Sequence, residues 1–194
     1  IGENMTDKIN YKTEQEKFWA EEFGSDYINR NKGSKPSSSN LNFFSKALAQ
    51  ADQLDSCIEF GANIGMNLKA LKLLYPDIEM SGVEINKEAA SELKNLIGDE
   101  NVYLDSIFDW KPKTTYNLTL IKGVLIHINP NKLDLVYKKL YDASDQFILL
   151  CEYYNPAPVT INYRGYDDRL FKRDFAGEML NKYPSLSLLD YGFS

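Results

Sequence analysis

The sequence predicts an α/β fold, a doubly wound and mostly parallel sheet, and three observations carry that expectation. From Ser56 onward, short apolar runs alternate with amphipathic helical stretches. A glycine-containing turn over 61–65 joins the first such run to the first such helix. The 194 residues, 43% of them hydrophobic, suffice for a single core that buries roughly 70% of the surface an unfolded chain exposes.

Each element has a local reason. Residues 13–23 read as a helix that Thr13 caps, Glu16 backs and Gly24 ends. Residues 25–39 carry turn chemistry without periodicity and read as a loop, and 40–50 place Leu41, Phe44 and Leu48 on one helical face. The first strand is 57–60. A helix over 66–75 stops at Pro76, a strand follows over 78–84, and Asn86 caps a helix that Gly98 ends. A third strand covers 102–105. The eleven residues 106–116 hold Pro112 and no helical period, and a loop of that length reaches roughly 36 Å, enough to cross neighbouring strands. Strand four is 118–121. Asn129-Pro130 opens a helix with Leu133, Val136, Tyr137 and Leu140 on its buried stripe, and 146–152 is strand five. Residues 153–170 read as a long functional loop, 174–182 as a helix and 186–191 as a sixth strand. The expected units are an N-terminal helical cap, 5–55, and a sheet domain, 56–194.

Charge and cysteine usage narrow the function. Twenty-eight acidic against 22 basic residues give a net charge of −6 with no Lys/Arg stripe, which argues against a nucleic-acid partner. No apolar run approaches the ~18 residues of a membrane span. A cytoplasmic protein with a small-molecule ligand is expected; residues 1–4, ahead of Met5, read as a tag remnant. Cys57 and Cys151 lie in apolar runs and read as reduced core residues; no metal-ligand spacing is present. With strand four between strands one and five, these cysteines would sit on strands ~9.6 Å apart, beyond disulfide reach.

Ligands of an open parallel sheet bind beyond the carboxyl ends of its strands. After strand one comes Glu59-x-Gly61-x-Asn63-x-Gly65, a turn that allows close backbone approach and ends at a helix N-terminus. The same glycines also suit a purely structural tight turn. Glu84 ends strand two, 19 residues after Gly65, where a carboxylate can accept from both ribose hydroxyls or simply complement the following helix dipole. Asn63 and Met66 occupy places where a dinucleotide turn needs glycine, so NAD fits poorly.

The turn resembles the first motif of the class I S-adenosylmethionine-dependent methyltransferases, departing from it at Asn63. That resemblance implies a Rossmann-like fold, S-adenosylmethionine as cofactor and S-adenosylhomocysteine as product. It implies that Glu59, Gly61, Asn63, Gly65, Glu84 and Ile85 bind the cofactor, that Asp105, Ser106 and Ile107 read its adenine, and that Lys122 and Gly123 line it. The 19–31, 123–130 and 163–178 runs are similar to the pseudaminic acid biosynthesis-associated methylases. This narrower resemblance implies a sugar or sugar-nucleotide acceptor and an N-terminal segment in which Trp19, Tyr27 and Arg30 fold over the cofactor. The family normally ends with an antiparallel strand between its fifth and sixth, and that strand is absent from the sequence expectation here.

Methyl transfer to a hydroxyl needs alignment and a base. His127 is the sole histidine and stands as the base, or as a packing residue of the following helix. Tyr153, Tyr154, Asn155, Arg164 and Arg173 stand as acceptor ligands, because Arg forks match carboxylates and phosphates; paired with nearby acids, the same cations would be a solvated surface. Two other functions stay open: a cofactor-binding scaffold without catalysis, and a nicotinamide-dependent oxidoreductase or epimerase.

Overall fold

The computed structural model describes residues 11–21, 23–25, 38–51 and 53–193. Five strands, β1 (Ser56–Phe60), β2 (Glu79–Glu84), β3 (Val102–Leu104), β4 (Tyr116–Lys122) and β5 (Ser144–Cys151), form one sheet in the order β3-β2-β1-β4-β5. Every pairing in it is parallel, with Cys57 opposite Leu118 and Leu118 opposite Phe147. Strand order reverses between β1 and β4, so the crevice of a doubly wound sheet opens at their carboxyl ends.

Helices cover both faces, as parallel strands require. Helices α2 (Ser38–Ala47), α3 (Met66–Leu74) and α4 (Lys87–Ile97) pack Phe44, Leu68, Leu71 and Leu93 against Cys57, Leu118 and Leu120. On the other face α5 (Leu133–Ala143) and α6 (Phe175–Lys182) pack Val136, Tyr137, Leu140 and Met179 against Ile58, Phe60 and Ile121. Full burial of each such apolar side chain contributes roughly 1.5–3 kcal/mol. The 105–115 connection crosses as expected and plugs Phe108 and Trp110 into this second face. Both cysteines are free, with β4 between their strands.

Helix α1 (Glu14–Ala20) starts on Thr13, whose Oγ1 accepts from Glu16 N at 3.0 Å. It ends before the expected Gly24, and Glu16 does not close a capping box: its carboxylate accepts from Lys12 N and from Ser106 Oγ. Asn86 caps α4 through bonds from Glu88 N and Ala89 N, as expected.

Two expectations change. Residues 153–170 are not a continuous loop, because β6 (Val159–Tyr163) and β7 (Tyr166–Lys172) form an antiparallel hairpin. Its two-residue turn is Arg164-Gly165 with φ of 51° and 88°, the left-handed pair that matches strand twist. The expected strand 186–191 is absent, and Leu188, Leu189 and Tyr191 are exposed. Apolar residues at both parities need cover on both faces, and here only Leu186 packs against the core. No helix among the described residues is long and apolar enough to cross a membrane.

Candidate active site

The turn 61–65 rests on three left-handed residues, Gly61, Asn63 and Gly65. Gly61 is also required by packing: a Cβ there would lie 2.7 Å from Val124 Cγ2. Asn63, at φ 49°, shows why the departure from glycine is tolerated, since a short amide side chain supports this conformation. Its Oδ1 accepts from Ile64 N at 2.7 Å, and its own N–H donates to Glu84 Oε2 at 2.7 Å.

Glu84 therefore ties the turn to the end of β2. Its Oε1 accepts from Asn86 N at 2.8 Å. Burial pushes its carboxyl up, while the N–H groups of Asn86, Asn63 and Ile85 pull it back. A carboxylate offers about four acceptor sites, so these three N–H groups leave room for a hydroxyl.

Glu59, on β1, is buried and accepts from Asn67 Nδ2 at 2.6 Å through Oε1. Its Oε2 is buried with no hydrogen-bond partner. Burial raises its pKa to about 8, against the opposing influence of Asn67 and Lys122, and Glu84 adds to the rise.

Beyond β3, Asp105 Oδ1 accepts from Ser106 N at 2.8 Å. Ser106 is buried, its Oγ accepting from Phe108 N at 3.0 Å and donating to Glu16. Ile107 packs into the core. Beyond β4, Lys122 is half-buried and Gly123 is exposed at φ 68°, with nothing within 4 Å of where a Cβ would stand. The backbone beside the crevice is thus open to a ligand.

Residues 125–127 make one 3-10 turn. Its N-terminal donors go to Glu152: Val124 N and Leu125 N at 2.9 Å on Oε1, Ile126 N at 3.4 Å on Oε2. Burial raises the Glu152 pKa to about 7, and those N–H groups oppose it. Glu152, at the end of the expected fifth strand, is thus the clamp of the turn that carries His127. Only its position at the end of a strand adjacent to β4 signalled this.

His127 is 9% exposed, with its ring centroid 4.6 Å from that of Trp19 and 5.1 Å from that of Tyr163. Its Nδ1–H donates to the Arg169 carbonyl at 2.6 Å. Burial lowers its pKa, opposed by that bond. The neutral tautomer then carries its lone pair on Nε2.

Helix α1 lies across these strand ends. Gln15 donates to Asp168 O at 2.9 Å, Asn86 Nδ2 to Ala20 O at 3.2 Å, and Lys12 pairs with Asp109. Tyr27 and Arg30 lie outside the described residues.

The proposed acceptor ligands are more dispersed. Tyr153 and Tyr154 are exposed, and Asn155 Nδ2 donates to Ala157 O at 2.5 Å. Arg164 is exposed at the hairpin tip, while Arg173 Nε pairs with Glu178 at 3.2 Å. No group of three His, Cys, Asp or Glu side chains suited to a metal occurs among the described residues.

No family model matches the chain, and no curated protein matches it. Solved structures share its fold. The chain is similar to the plantazolicin methyltransferase BpumL in complex with SAH, at 17% identity and a TM-score of 0.57 over 72% of this chain and 57% of that one. It is similar to the sugar N-methyltransferase KedS8 from a Streptoalloteichus species, at 13% and 0.56 over 73% and 61%. Against the mitomycin 7-O-methyltransferase MmcR the values are 15% and 0.59 over 88% and 54%. The chain spans 51–64% of the length of these and similar methyltransferase structures. At these identities the likeness is one of fold: this chain has the Rossmann-like fold of the S-adenosylmethionine-dependent methyltransferases.

Proposed function

We propose that the protein is an S-adenosylmethionine-dependent methyltransferase acting on an oxygen or nitrogen of a nonulosonic acid of the pseudaminic acid type, or of its precursor. The observation that carries the cofactor is the closure of the 61–65 turn on Glu84, Asn63 N to Oε2 at 2.7 Å, at the carboxyl ends of β1 and β2. The buried, unpartnered Oε2 of Glu59 and the open backbone at Gly123 fit a polar ligand lying across the crevice. SAH-bound and sugar-methylating structures with this fold support the class. The 123–130 and 163–178 runs support the acceptor.

The cofactor supplies an electrophilic methyl group when bound. Glu84 would accept from its ribose, the 61–65 backbone would approach its amino-acid portion, and 105–107 would flank the adenine. His127 Nε2 would take the proton of an attacking hydroxyl, and α1, within the 5–55 cap, would exclude water from above. Isothermal titration with SAH tests this: micromolar binding weakened by about tenfold or more in Glu84→Ala supports the reading. Absence of binding by the native chain overturns it. Mass spectrometry of pseudaminic acid incubated with cofactor then reads methyl gain.

A further inference from the structure

We infer that Arg169 anchors the carboxylate of the acceptor through the Nε–Nη2 edge of its guanidinium, holding an acceptor hydroxyl toward His127. This rests on the methyltransferase reading and deepens it.

The cations that the sequence collects between 153 and 173 are not equivalent. Arg173 is engaged by Glu178, Lys172 lies over the exposed Tyr153 ring at 5.1 Å, and Arg164 sits over Tyr163 at 5.7 Å on the hairpin tip. Arg169 differs. Its guanidinium lies 5.5 Å from the ring centroid of Phe18 on α1 and 5.7 Å from that of Tyr166 on β7. Asp168 holds Nη1 alone, through its carboxylate and its carbonyl, the latter at 3.3 Å. Nε is buried and has no hydrogen-bond partner.

An orphaned buried N–H is rare and costly, and here it belongs to the side-on edge whose two parallel donors match a carboxylate. Aromatic rings against the guanidinium leave in-plane approach, which is how a bidentate carboxylate binds. The same residue's carbonyl fixes the His127 imidazole at 2.6 Å. Guanidinium and imidazole are therefore joined through one residue, Arg169. Because Nε is shielded, the carboxylate reaches it when α1 or the hairpin parts from it. A sugar acid is the fitting acceptor; an uncharged sugar would leave the edge unmet.

The test titrates SAH-loaded protein with pseudaminic acid and with its carboxamide, using the native chain, Arg169→Lys and Arg169→Met. The native chain is expected to bind the acid about tenfold or more tightly than the amide. Both variants should lose that preference and bind the amide as the native chain does, with SAH affinity changed by less than about twofold. Arg169→Lys keeps the charge and stem without the fork, so it decides the matter if Arg169→Met fails to fold. Undiminished acid binding by Arg169→Lys overturns the proposal. So does a native chain that binds SAH yet fails to bind the acid or to prefer it. Failure of the native chain to bind SAH overturns the methyltransferase reading itself.

Discussion

The imidazole of His127 is oriented by the backbone of Arg169: Nδ1–H donates to that carbonyl at 2.6 Å, and the lone pair is left on Nε2. A main-chain acceptor cannot be removed by a point mutation, so this imidazole is set by the position of β7 rather than by a partner side chain.

The first expected outcome is a pH profile. Burial lowers the His127 pKa below its ordinary 6.5. The rate should therefore rise through a midpoint below that value and be flat at neutral pH, as stopped assays across a buffer series would record. His127→Ala should lower kcat by about 10²–10⁴-fold while SAH affinity is kept. An alanine variant with native turnover would remove His127 from the chemistry.

Glu59 and Glu152 give a stability prediction of opposite sign. Their folded pKa values, about 8 and about 7, are raised above 4.5. The protonated forms stabilise the native state fully below pH 4.5, and that contribution is lost as pH rises through 7 and 8. Glu59→Gln should therefore melt higher than the native chain at pH 9, by roughly 3–6 °C for a gain of 1–2 kcal/mol. The gap should close near pH 5 in calorimetry.

Removing the clamp should be costly for another reason. Glu152→Ala leaves the Val124, Leu125 and Ile126 donors without their acceptor, for a loss of about 1–3 kcal/mol by urea unfolding. Glu152→Gln should retain part of it, since its carbonyl can still receive Val124 and Leu125. Equal stability of both variants would contradict the clamp.

Gly61 and Val124 should show coupling. Gly61→Ala places a Cβ 2.7 Å from Val124 Cγ2 at a φ of 72°. The cost should be roughly 1–3 kcal/mol, of which Val124→Ala relieves the collision and not the backbone strain. A double-mutant cycle of thermal unfolding measures that split.

The sheet was legible because its information is local. Alternating runs, Asn86 as a cap and Pro76 as a stop all act within a few residues, and each stands where expected. The hairpin was not legible although Arg164-Gly165 forms its turn, because Arg is a rare first residue of such a turn. The 186–191 expectation failed because an apolar run predicts a strand only where an edge and a cover exist. The nearness of the 61–65 turn to Glu84 at adjacent strand ends was legible from spacing. The roles of Glu152, Ser106 and Arg169 were not, since each depends on a partner 26 to 90 positions away.

Cys57 and Cys151, unbridged on either side of β4, make the chain its own reporter. Cys57 is fully buried with its thiol pushed well up, whereas Cys151 is half-buried and adjacent to Glu152. Alkylating reagents should therefore modify Cys151 first. A fluorophore placed there would sense, with no engineered residue, any rearrangement of the turn that carries His127.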